Sequence, residues 1–184
     1  SFPTRRSSDL SACEWAARNN SIGYVNAYEF DIDGLKVLDL TDKPVLHWLA
    51  ILLHFRILDQ GFIRAFNHRL KFIEENYYID ANEYDLVIGH RGDDAYFRFP
   101  LEFVRGNLAL EQLEYSFKLG ELGIQYAIIS DEGIKRLSYL NSFLVSDSYI
   151  DKYFDNVKRA SRDFDRLDKD EEGIRILDLM RMKR

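Results

Sequence analysis

The sequence holds a single cysteine, no apolar run near the length of a membrane span, and no excess of positive charge. Each absence excludes something. Cys13 alone cannot close an intramolecular disulfide, so the chain is no disulfide-stapled scaffold and a reducing compartment is expected. A spanning helix needs about 20 consecutive apolar residues, and no stretch approaches that. A net charge of −6 with a pI near 5.3 disfavours a nucleic-acid polyanion as the main partner. Neither an HExxH motif nor a cysteine pair occurs. His47 and His54 lie seven apart on one helix face, without ligand spacing to His68 or His90, so no metal site is expected. Internal repeats and low-complexity tracts are also lacking. What is present, 46% hydrophobic residues with 14% aromatic, suffices for a packed core in one ordinary domain plus an appendage. A cytoplasmic protein is expected, with no membrane contact.

The opening residues, SFPTRRSSDL, lack an initiator Met, and no apolar run follows Arg5-Arg6 as a secretory signal requires. Back-translated with ordinary codons, Phe2 to Asp9 reads TTC CCT ACA CGA CGC TCT TCC GAT, and a trailing CT begins a Leu codon, here Leu10. That string resembles the end of a widely used short-read sequencing adapter. Residues 1–10 are therefore expected to be translated adapter, forming no domain, joined to a reading frame cut part-way through.

Beyond Leu10, SACEWAARNN has the spacing of a short helix that ends at Asn19-Asn20. YVNAYEF and LKVLDL read as strands separated by the turn DIDG, either a hairpin or one interrupted strand. From Pro44, PVLHWLAILLHFRILDQGFIRAF is apolar at helical spacing, and NHRLKFIEENYYIDANEY continues that helix into a loop. YDLVIG is a nearly continuous apolar run closed by Gly89, the pattern of a buried central strand. The next helical stretch, FRFPLEFVRGNLALEQLEYSFKLGELG, breaks near Arg105-Gly106-Asn107. IQYAIIS reads as a second buried strand, and Asp131 as the cap of a helix DEGIKRLSYL. Past Asp147 both signs of charge become dense, with apolar residues at amphipathic spacing, as in a docked or partner-binding helix. The expected division is thus residues 1–10, a domain over 11–147, and a charged helical tail over 148–184.

Few residues stand out as chemistry. Arg91-Gly92-Asp93 is a turn sequence, and without a secretory signal it implies no adhesion. Gln112-Leu113-Glu114 matches a Gln-x-Glu found in some ADP-ribosyltransferase loops. It lies inside a helix whose buried side is Leu108, Leu113 and Phe117, so it reads as a solvated helix face. Asp93 and Asp94 follow a buried strand and a glycine, at the strand end where α/β proteins often place ligands. A turn or helix cap explains both residues without any function, and on spacing alone is the favoured reading. Gln125 opens a strand, and spacing alone gives no reason to single it out.

The order of segments carries more. VNAYEFD with LKVLDL, the helix bearing HWLAILL, EYDLVIGHRGDDAYF, a helix pair and QYAIISDEGIKRLSYL together resemble the bacterial domain of unknown function 3990, an ADP-ribosyltransferase-like family. The resemblance covers about Ser11 to Leu140 and rests most on YDLVIGHRGDD and QYAIISDEGIKRL. The segment from about Arg56 to Asn82 is longer than the family pattern. The resemblance implies an α+β class: a truncated ADP-ribosyltransferase-like fold, with small mixed or antiparallel sheets flanked by helices and a C-terminal helical appendage. It also implies NAD as substrate, bound in a cleft, with transfer of ADP-ribose to an acceptor nucleophile. Two of the three NAD-contacting motifs would lie upstream of Ser11, so they take no residue number and this chain is expected to be inactive. The third falls on Gln125, as catalytic and NAD-contacting residue, where related enzymes carry a Glu on the nicotinamide ribose. Asp93 and Asp94 would line or shape the same cleft. A Gln can bond ribose hydroxyls but has no charge to offset an oxocarbenium-like cation. The alternative is a non-catalytic binding module of the same fold, engaging a protein partner through its C-terminal helix.

Overall fold

The computed structural model describes residues 12–13, 16, 23–56, 58–90, 96–119, 123–145, 148–168 and 171–183. The adapter-like stretch, the Arg91-Gly92-Asp93 triplet and Asp94 lie outside them. Elements run in the order β1 (Gly23–Phe30), β2 (Val37–Asp39), α1 (Val45–Phe55), α2 (Gln60–Tyr77), β3 (Leu86–His90), α3 (Arg98–Arg105), α4 (Leu110–Ser116), β4 (Ile124–Ile128), α5 (Asp131–Lys135), β5 (Leu137–Val145), α6 (Ser148–Asp165) and α7 (Ile176–Met182). The class is α+β, as expected.

β1 and β2 are neither a hairpin nor one interrupted strand. β1 pairs antiparallel with β5, across more than a hundred residues, in a two-stranded ribbon. β2 lies parallel to β3, and β3 antiparallel to β4, giving a second sheet ordered β2-β3-β4. β3 is the buried centre its sequence announces, with Leu86 inaccessible to solvent. β4 is not a second buried strand. Among the described residues it is an edge, and Gln125 and Tyr126 are exposed.

The long apolar run after Pro44 splits into two helices. Arg56 turns extended, and the Asp59 side chain accepts from the Phe62 N–H at 3.0 Å, starting α2 afresh. The break at Gly106 is as expected. Its φ of 84° is left-handed, and the Asn107 N–H closes back on the Glu102 carbonyl. Asp131 does not cap its helix. Ser130 does, through Oγ accepting from the Gly133 N–H, and the helix stops at Lys135 because Leu137 onward is recruited as β5.

The main core joins α1, α3 and α4 to the C-terminal segment. Leu49, Phe103, Leu108 and Leu113 are inaccessible, and so are Ala160 of α6 and Ile176 of α7. Phe164 stacks on Phe99 with ring centroids 3.9 Å apart. The amphipathic stripe of the tail is therefore spent on this chain's own core. A second, smaller cluster of Leu38, Leu40, Trp48, Ala81 and Val87 lies under the three-stranded sheet and positions the site. Among the described residues, no helix is long and apolar enough to cross a membrane.

Candidate functional site

One face of the three-stranded sheet stays open where it meets α1. Side chains two apart on a strand share a face, so Val87 and Gly89 of β3 stand beside Ala127 and Gln125 of β4, paired Val87 to Ala127 and Gly89 to Gln125. These four residues, with Leu40, form one wall of a cavity of about 310 Å³. Trp48, Ile51, Leu52 and Phe55 of α1 form the other, and Arg56, His90 and Gln125 supply its polar groups.

Gly89 is what allows the walls to approach. A Cβ there would stand 2.9 Å from Cδ1 of Trp48, closer than packed side chains come. The indole is held in place from two directions. Its Nε1–H donates to the His90 carbonyl at 2.8 Å, and its ring tilts against Phe117 with centroids 4.3 Å apart. The His90 imidazole lies nearly parallel to the same Phe117, 5.9 Å away and 11° from coplanar. Burial, with Lys118 adding a smaller repulsion, pushes the His90 pKa below its ordinary 6.5. A neutral imidazole at physiological pH follows, one nitrogen donating and the other accepting. Arg56 sets its guanidinium 5.1 Å above the Phe97 ring. The result is a mainly apolar cavity with amide, imidazole and guanidinium at its polar points.

Gln125 lines this cavity from the edge of the sheet. Asp93 and Asp94 are outside the described residues, and follow His90 in sequence by three and four positions. The Gln112 reading needs correction. Gln112 is buried rather than solvated, and its amide is a structural staple. Nε2 donates to the Asp168 carbonyl at 2.6 Å and to Glu171 Oε2 at 2.9 Å, while Oε1 accepts from the Ala109 N–H at 3.0 Å. Glu114 is exposed. His47 bonds the Tyr77 carbonyl, His54 faces Glu74, and His68 is exposed.

Sequence reasoning missed Trp48 and His90 as cleft residues. Trp48 hid within a helical apolar run, and the only signal was Gly89, an interruption in a β-branched strand that marks close approach.

The family model described as "Protein of unknown function (DUF3990)" matches residues 4–139. The chain belongs to this family. The match begins at residue 4, ahead of the expected domain start at Ser11, and takes in every cleft residue named above. For this DUF3990 chain, no curated protein and no solved structure matches. The C-terminal helices α6 and α7, which complete the main core, lie beyond the matched span.

Proposed function

We propose that the cleft between α1 and the three-stranded sheet is the binding site for the nicotinamide end of NAD, in an ADP-ribosyltransferase-like protein. The observation that carries this reading is the position of Gln125. It lies opposite Gly89 on the sheet face, at the edge of a slot with Val87 and Ala127 on one wall and Trp48 on the other. A flat ring fits between such walls, and the Gln125 amide offers both a donor and an acceptor to ribose hydroxyls. The slot suits the nicotinamide ribose rather than the whole dinucleotide. Asp93 and Asp94 remain candidates for shaping its rim.

Gln125 brings no negative charge to a cationic, oxocarbenium-like centre. Binding without appreciable transfer is the expected behaviour. That same observation favours the second reading, a non-catalytic module of this fold. A protein partner engaging α6 would have to use its exposed side, around Phe154, Lys158 and Arg162, because Ala160 and Phe164 are buried.

Calorimetric titration with NAD and with nicotinamide tests the proposal. Both should bind, and Gln125→Ala should weaken NAD by about fivefold to tenfold, the worth of one or two hydrogen bonds. An unchanged affinity, or no heat with either ligand, would remove the reading.

A further inference from the structure

Among the described residues, the β1–β5 ribbon has a packed cluster on one face. On that face Val25 and Val145 are buried against Cys13, Ala12, Ala16 and Tyr149. An antiparallel ribbon covered on one side ordinarily turns polar residues to the other. Here the opposite face carries Tyr24 beside Leu144 and Tyr28 beside Tyr139, and between them Asn26 beside Ser142. Tyr24, Tyr139 and Leu144 are each about 60% exposed or more, and Tyr28 is 47% exposed. Phe143, opposite Val25, and Leu140, at the register shift of the ribbon, are also exposed.

We propose that this face is a homodimer interface, on which two copies stack their ribbons across a two-fold axis. Three observations choose a second copy as the occupant. The first is area. At about 200 Å² per aromatic side chain and somewhat less for leucine, the exposed parts of these four residues come to roughly 450 Å² per copy. With the exposed Asn26 and Ser142 between them, two copies bury roughly 1,000 Å², the lower bound for a specific interface. The second is charge. No charged residue occurs from Gly23 to Tyr28 or from Ser138 to Val145, so a copy of the same surface meets no like charge. The absence of Lys and Arg there also gives an anionic membrane nothing to hold. The third is the polar strip across the middle. Ser142 donates to Asn26 Oδ1 at 2.5 Å, and the Tyr139 hydroxyl lies 2.8 Å from Ser142 Oγ. A two-fold mate presents an identical strip, so each polar group meets a polar group. The interface stands apart from the cleft, and the proposal does not depend on what the cleft binds.

Sedimentation equilibrium of the full chain up to ~100 µM tests this, since a dimer responds to concentration by mass action. A dimer mass is expected, and Tyr24→Lys with Leu144→Lys should return a monomer with an unchanged circular dichroism spectrum. Phe55→Lys, at the cleft, should leave the dimer intact. A monomer throughout, open-ended growth in mass, a dimer that survives both lysines, or dissociation by Phe55→Lys would each overturn the proposal. Should the lysine variants fail to fold, hydrogen exchange on the natural sequence decides. Amides of β1 and β5 should exchange more slowly as concentration rises, and an unchanged rate is the contrary result.

Discussion

The indole N–H of Trp48 donates to the main-chain carbonyl of His90 at 2.8 Å, joining the middle of α1 to the last residue of β3. This bond spans 42 residues of sequence and sets the width of the cleft. Trp48→Phe keeps a ring but strands a carbonyl acceptor, and should cost about 1 kcal/mol. Trp48→Ala also opens a cavity, and about 3–5 kcal/mol is expected. Chemical denaturation of the two variants separates the hydrogen bond from the packing.

Gly89→Ala should be unfavourable although β-sheets usually disfavour glycine. The new methyl would meet the Trp48 indole at 2.9 Å and Leu40 Cδ1 at 3.4 Å. Overpacking of this kind costs about 1–3 kcal/mol, and a melting curve should move down by about 2–4 °C per kcal/mol. The same methyl enters the cleft, so NAD affinity should fall with it.

Gln112→Ala should destabilise the C-terminal segment in particular. The change leaves the buried Ala109 N–H unpaired and frees the Asp168–Glu171 turn. An unsatisfied buried donor costs about 1–3 kcal/mol. Limited proteolysis should cut between α6 and α7 faster than in the natural sequence.

Deleting residues 148–184 should prevent stable folding. Ala160, Phe164 and Ile176 fill the same core as Leu49, Phe99 and Phe103, and their removal exposes that core to water. A cooperative melt of the shortened chain would show instead that the 11–147 unit stands alone.

Two groups give stability a defined pH dependence. The folded-state pKa of His90 is depressed by burial, so the unfolded chain takes up the proton first. Its contribution is complete above the ordinary 6.5 and is lost as pH falls below it, and His90→Gln should flatten that slope. Asp85 lies lower. Ser130 Oγ donates to Oδ1 at 2.5 Å and the Lys36 N–H to Oδ2 at 2.8 Å, holding the carboxyl below its ordinary 3.8. Stability from Asp85 is present above 3.8 and disappears as pH falls through the folded-state value, so Asp85→Asn should raise the pH of acid unfolding.

Several features were legible in the chain itself because they are local. The run LVIG with its closing glycine is a buried strand, and Gly106 ends a helix through a left-handed φ. The family likeness lies in such linear blocks, and the match over residues 4–139 agrees with it. Features that depend on a distant partner were not legible. β1 reads as a strand, but nothing local says what it pairs with, and Leu137 to Leu140, which read as the end of a helix, become strand because β1 supplies their hydrogen bonds. Gln112 looks solvated in its own helix, and only Asp168 and Glu171, 56 and 59 residues away, bury it. Gln125 looks buried in an apolar run, yet β4 is an edge with no strand beyond it among the described residues. Local propensity acts through near neighbours and is written along the chain. Pairing, burial and the cleft arise from contacts between segments far apart, where the free energy of packing outweighs the preference of any one segment.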